Sequence, residues 1–403
     1  MDIILTRTIG LLCVAILVAI IARRLWLPYT VGLVVSGIAL SFTHSATGAM
    51  LTHEFIFDLI LPPLLFEAAL IIHWKELRRD LLPILALSTI GVLISTVVVT
   101  SCMTYFFNWK LAPALLFSVL IAATDPVAVI ALFKDVGVTG RLRLLVESES
   151  LFNDGVAAVL FALALAWAQG TDVSVSAGTG LSSIVFTLLS MAGGGVVVGL
   201  LCGGVATVIL GRTCDHQVET TLTAVTAYGA FLLAEHFHFS GVLATVAAGL
   251  MLGNLSILKE SGSNKLASDA RLFVVEFWNF SAFIANSLVF LLIGLAVAGV
   301  AFRGVGVVAI VAVIAFVLLG RALTVYPLCF LFGRSHWKIP MGQQHVLWWG
   351  GLRGALALAL ALALPSNLEH HDEILIFAFA VVVFSVVVQG LSMPWLLRRI
   401  GAR

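Results

Sequence analysis

Apolar residues run along this chain in long blocks, and polar positions fall mostly between the blocks rather than inside them. A bilayer core takes about 20 apolar residues per helix. Read at that length, the blocks predict thirteen spans, near 3–22, 27–43, 55–73, 81–105, 111–133, 144–167, 180–210, 218–235, 239–255, 272–299, 304–332, 344–364 and 374–397. The longest polar stretch, 256–271, is a Ser/Gly/Asn/Lys segment and predicts a flexible loop. Gly193, Gly194, Gly195, Gly199, Gly203 and Gly204 in the seventh span predict close helix packing.

Composition settles the solvent. The 403 residues are 61% hydrophobic and 11% charged, whereas soluble domains carry roughly 45–50% apolar and about 25% charged residues. No single soluble core hides that much apolar surface, so the chain is expected to be an all-α, multi-pass protein of the inner or plasma membrane. A net charge of +1 points to no nucleic acid or acidic partner. Five scattered cysteines with no CxxC spacing argue against a disulfide framework or a zinc site. With the N-terminus outside and the C-terminus cytoplasmic, seventeen of the 22 Lys and Arg residues fall in cytoplasmic loops, among them Arg23, Arg24, Arg78 and Arg79. The outer loops hold Lys110 and Arg303, and Arg7, Arg321 and Arg353 lie within spans. That asymmetry satisfies the positive-inside rule.

Charges inside spans cost roughly 2.5–3.5 kcal/mol each on insertion scales, so their positions nominate a site. Thr124-Asp125-Pro126 interrupts the fifth span. Proline removes a backbone donor and pushes the preceding residue out of helical geometry. Two readings stand: a proline kink capped by its aspartate, or an unwound stretch whose free carbonyls, near Thr124, face a cation. The sixth span carries Glu149, Ser150, Asn153 and Asp154. At 3.6 residues per turn these four oxygen-bearing side chains share one face, and oxygen ligands suit hard cations. A polar network between helices is the plainer alternative. Glu67 follows Pro62-Pro63 deep in the third span, while Asp58 lies nearer its outer end and reads as structural. In the twelfth span, Arg353 sits within Gly350-Gly351-Leu352-Arg353-Gly354 and needs a carboxylate, for which Glu149 is the expected partner. Arg321 and Glu276 read as core pairings, and Gln389 as a hydrogen-bonding group inside the bundle. His236, His238, His370 and His371 read as solvated loop residues.

Thr-Asp-Pro, Glu-Ser followed by Asn-Asp, and Gly-Leu-Arg-Gly, in this order and on these spans, resemble the NhaP-type sodium/proton antiporters of the monovalent cation:proton antiporter superfamily. Leu61-Pro62-Pro63-Leu64-Leu65-Phe66-Glu67 and Val388-Gln389-Gly390-Leu391 match as well. The resemblance implies two inverted repeats, with the fifth and twelfth spans as crossed, discontinuous helices. It implies a moving core, roughly 81–167 and 304–397, and a dimerisation domain, roughly 1–80 and 168–303, in a homodimer. By the same resemblance, Asp154 binds either Na+ or H+, with Glu67, Ser150 and the Thr124 carbonyl as further ligands. Asn153 supports the unwound segment, Asp125 offsets the half-helix dipoles, and Glu149 and Arg353 form a buried ion pair. An Asn-Asp pair in place of Asp-Asp implies one Na+ or Li+ exchanged per proton, electroneutrally, in pH and sodium homeostasis. No enzyme activity and no cofactor beyond the transported ions is implied. The competing readings are K+/H+ exchange by the same machinery and sodium-coupled symport of an organic solute.

Overall fold

The computed structural model describes residues 2–25, 29–41, 54–125, 129–130, 133, 137–170, 181–212, 215–257, 265–299 and 305–400. Among them every regular element is helical: α1 (Asp2–Leu25), α2 (Tyr29–Ser41), α3 (Leu61–Ile71), α4 (Trp74–Leu77), α5 (Leu81–Leu85), α6 (Gly91–Phe107), α7 (Leu111–Leu120), α8 (Arg141–Ala168) and α9 (Leu181–Leu210), followed by α10 (His216–His236), α11 (Gly241–Leu252), α12 (Lys265–Gly299), α13 (Val307–Leu331), α14 (Met341–Trp349), α15 (Ala355–Leu362), α16 (His371–Phe384) and α17 (Gly390–Arg399). Four π-helical segments, Phe55–Ile60, Ala86–Ile90, Gly253–Ile257 and Ser385–Gln389, sit within or beside these helices. Among the described residues six stretches are long and apolar enough to cross a membrane by length and composition: Leu81–Phe107, Arg141–Ala168, Val185–Leu210, Leu272–Ala296, Val307–Leu331 and His371–Arg399.

One boundary differs from the sequence reading. The segment 256–271 was expected to be a loop, but α12 already begins at Lys265. Lys-Leu-Ala-Ser-Asp-Ala-Arg contains mostly good helix formers, so the helix extends beyond its apolar part into the polar segment.

The chain divides into two compact units, 1–56 with 82–153 and 286–403, and 57–81 with 154–285. In the first, helices approach through small residues. A Cβ on Gly37 would overlap the Leu291 carbonyl, and one on Gly294 the Val34 carbonyl, so α2 and the second half of α12 touch backbone to backbone. The Thr324 hydroxyl donates to the Gly91 carbonyl at 2.9 Å, joining α13 to α6.

In the second unit α11 is the central helix, with nearly every residue buried. Its start is capped twice: Ser240 Oγ accepts from the Leu243 N–H, and Glu235 Oε1 accepts from the Gly241 N–H. Gly195, Gly199 and Gly203, one turn apart on α9, lie against Ser240, Ala244 and Ala248. This is the close packing the glycine run predicted. On the opposite side Gly249 and Gly253 meet the backbone of Phe66 and Leu70 in α3. Pro63 leaves the Leu59 carbonyl without the N–H an ordinary helix would offer, and the Tyr228 hydroxyl donates to that carbonyl at 2.9 Å. Asn254 then closes the end of α3. Its Nδ2 donates to the Ile72 carbonyl at 2.9 Å, and its Oδ1 accepts from the Trp74 N–H at 2.7 Å.

Candidate functional site

Both spans expected to be discontinuous are discontinuous. Helix α7 ends at Leu120 and residues 121–125 are not helical; α14 ends at Trp349 and α15 begins at Ala355, leaving 350–354 non-helical. The two breaks face each other within the first unit, with the Asp125 N–H donating to the Leu352 carbonyl at 2.7 Å. Pro126, which interrupts the fifth span in the sequence, lies outside the described residues.

A break exposes the carbonyls at one helix end and the N–H groups at another, each end carrying about half a unit charge. Charged side chains meet these ends. Arg353, 3% exposed, donates through Nη1 to the carbonyls of Ala122 at 2.6 Å and Ala123 at 3.1 Å, just beyond the C-terminus of α7. Arg321 donates through Nη2 to the Leu347 carbonyl at 3.0 Å in the last turn of α14. The Asp125 carboxylate lies against Gly354, immediately before the first residue of α15, in space that any Cβ at position 354 would fill.

The sixth-span residues divide between two tasks. Asn153 donates through Nδ2 to the Ala122 carbonyl at 3.1 Å and to Thr124 Oγ1 at 2.9 Å, and Thr124 Oγ1 donates to Ser150 Oγ at 3.1 Å. These three side chains are each about 1% exposed. They bind one face of α8 to the break after α7. Asn153 Oδ1 is buried with no hydrogen-bond partner among the described residues. Asp154 follows on the same helix, one turn beyond Ser150, and is buried. Glu67 sits half-buried on α3, and Asp58 is exposed.

Glu149 corrects the sequence reading. Its expected partner was Arg353, yet both its oxygens are taken by Arg321: Nη1 to Oε1 at 2.7 Å and Nη2 to Oε2 at 2.8 Å. Such a bidentate fork is the strongest common geometry for this pair. The physical reason is that the Arg353 guanidinium is engaged by the exposed Ala122 and Ala123 carbonyls of the other break, which leaves the Glu149 carboxylate to the buried Arg321 of α13. Arg321 was expected to be a core pairing, and its partner is Glu149. A guanidinium amid 25 apolar-rich residues demands a carboxylate, and that signal was available. Ser385 was missed altogether: its hydroxyl accepts from the Arg353 N–H at 3.1 Å, and a serine in an apolar span carries no distinctive signal. Among the described residues no group of three or more His, Cys, Asp or Glu side chains could hold a metal ion.

A helical membrane protein in which two interrupted helices meet, with charged side chains at the described ends of both breaks, has the architecture of an ion-coupled secondary transporter. Residues 11–399 match the family described as sodium/hydrogen exchanger, transmembrane, and the chain belongs to that family. It is 40% identical to the Na(+)/H(+) antiporter ApNhaP of Aphanothece halophytica over 93% of this chain and 70% of that protein. It is 33% identical to the Na(+)/H(+) antiporter NhaH of Halobacillus aidingensis over 97% of this chain and 96% of that one. Its fold is that of the sodium proton antiporter MjNhaP1 from Methanocaldococcus jannaschii, solved at pH 8, with a TM-score of 0.77 at 21% identity, covering 99% and 100% of the two chains.

Proposed function

We propose that the protein is an electroneutral antiporter that exchanges one Na+ or Li+ for one proton by alternating access, serving pH and sodium homeostasis. The observation that carries this reading is the junction of Ala122, Thr124, Ser150 and Asn153, where buried oxygen-bearing groups collect at a helix break in a chain of the exchanger family. In this reading Asp154 is the group that binds Na+ and H+ in turn. Ser150, one turn earlier, Glu67 and the Thr124 carbonyl complete the cation shell. Asn153 and Arg353 hold the unwound backbone, Asp125 offsets the N-terminal end of α15, and Glu149 keeps Arg321 neutralised beside the break. One exchanging carboxylate that is neutral in either loaded state carries no net charge across the membrane, which is the origin of one-for-one exchange.

The transport cycle moves a core of roughly 81–167 and 304–397 against a dimerisation domain of roughly 1–80 and 168–303 in a homodimer. Motion defines those domains, and compact units defined by packing need not coincide with them. In this reading the protein lies in the cell membrane with thirteen spans, the N-terminus outside and the C-terminus cytoplasmic, a topology that the distribution of Lys and Arg supports. The test is Asp154→Ala in proteoliposomes. Sodium-driven proton movement should vanish while the variant elutes as folded protein at the wild-type size, and retained exchange in it would overturn the assignment.

A further inference from the structure

Segment 350–354 turns sharply, with the Gly350 N–H on the Val346 carbonyl at 2.7 Å and the Leu352 N–H on the Gly350 carbonyl at 2.8 Å. That turn leaves the Trp349 carbonyl and the Arg353 N–H without helical partners, and both lie inside the first unit. Solvent has little room to serve the buried Arg353 N–H, and the Trp349 carbonyl is part-buried. The cavity lined by Arg321, Trp348, Gly351, Arg353 and Gln389 measures about 10 Å³, the space of one water at most. A buried backbone group left unpaired is costly, so side chains must take the role.

Two residues of the last span do so. Ser385 Oγ accepts from the Arg353 N–H at 3.1 Å and lies 2.9 Å from the Val382 carbonyl and 3.2 Å from the Arg353 carbonyl, to either of which its proton can go. Gln389 Nε2 donates to the Trp349 carbonyl at 3.1 Å. Both side chains are buried, at 1% and 3% exposure. They open and close the π-helical segment Ser385–Gln389. Such widened turns inside α-helices are rare and concentrate at functional sites.

We propose that Ser385 and Gln389 are positioning residues that hold the broken segment 350–354, and through Arg353 hold the carbonyls of Ala122 and Ala123, in the cation-binding geometry. The inference rests on the exchange reading above and adds to it the last span as a support of the site. The bland alternative is that Ser385 merely satisfies its own hydroxyl on Val382, as serines in helices often do. The link to transport separates the two. Arg353 Nη1 reaches Ala122 and Ala123, and those carbonyls adjoin Thr124, so a shift of the Arg353 backbone moves the site itself.

The test uses the full chain in lipid nanodiscs and proteoliposomes, with Ser385→Ala, Ser385→Thr and Gln389→Ala. Hydrogen–deuterium exchange of the 350–354 amides should speed by about tenfold or more in Ser385→Ala, the factor expected from losing a buried hydrogen bond. The KM for sodium should change by about threefold or more with kcat within about twofold, the signature of altered binding rather than lost protein. Ser385→Thr, which keeps the hydroxyl, should restore both. Gln389→Ala should shift both measures in the same direction, and it decides the matter if Ser385→Ala does not fold. Unchanged amide exchange, or a fall in kcat at constant KM, would overturn the proposal. If the wild-type protein moves no protons on addition of sodium, the exchange reading fails, and the amide-exchange arm still decides whether the last span holds the break.

Discussion

Glu149 and Arg321 offer the sharpest quantitative prediction. Their side chains are 1% and 6% exposed, and two hydrogen bonds of 2.7 and 2.8 Å join them. Removing one partner leaves the other charged in a buried site, which typically costs 3–5 kcal/mol, whereas replacing both by apolar groups is often close to neutral. Arg321→Met additionally leaves the Leu347 carbonyl without its donor, a loss of about 1 kcal/mol that the double variant shares. Each single variant, Glu149→Gln and Arg321→Met, is therefore expected to lose roughly 3–5 kcal/mol. The double variant should lose clearly less than their sum, with a coupling of at least about 2 kcal/mol against the roughly 0.3–0.5 kcal/mol scatter of independent sites. Unfolding in detergent micelles, followed by tryptophan fluorescence, gives all four corners of the cycle. A second cycle pairing Glu149→Gln with Arg353→Met supplies the control. Additive losses in the first cycle, or stronger coupling to Arg353 than to Arg321, would refute the pairing.

Three further outcomes follow from the packing. Gly199→Leu should destabilise the protein by roughly 1–3 kcal/mol or more, because its Cβ would overlap the Ala244 carbonyl; Gly193→Ala, with nothing within 4 Å, should leave the melting temperature unchanged or raised. Gly354→Ala should abolish transport, since Asp125 occupies the space of its Cβ, and vesicle assays beside a melting curve will show whether function is lost before stability. Asn254→Ala should speed amide exchange at the α3–α4 junction and cost roughly 2–3 kcal/mol, about 1 kcal/mol for each hydrogen bond it makes to Ile72, Trp74 and Leu250.

Much of this was legible in the sequence because the bilayer makes the rules strict. Apolar blocks have to be helices, and Gly195, Gly199 and Gly203 of α9 meet the close neighbour that their run predicted, whereas Gly193 meets none. Thr124-Asp125 and Gly350 to Gly354 broke the apolar pattern at the points where the helices are in fact broken. What sequence could not supply was partner choice. Arg321 and Arg353 were both buried cations, and only the three-dimensional arrangement shows one at a carboxylate and the other at exposed carbonyls. The start of α12 was missed for a different reason: a polar helical extension has no apolar periodicity to announce it. Ser385 and Asn254 were invisible because a small polar residue that satisfies backbone groups leaves no mark of its own in a single sequence.

The most direct measurement is proton movement in proteoliposomes holding a pH gradient, on addition of Na+, Li+ or K+ salts, with the membrane potential clamped at zero or imposed. One-for-one exchange predicts that Na+ or Li+ dissipates the gradient at a rate that the potential does not alter, and that K+ does not. Dissipation by K+ alone would turn the reading to potassium exchange, a rate that follows the potential would contradict electroneutrality, and no cation-dependent movement at all would contradict antiport.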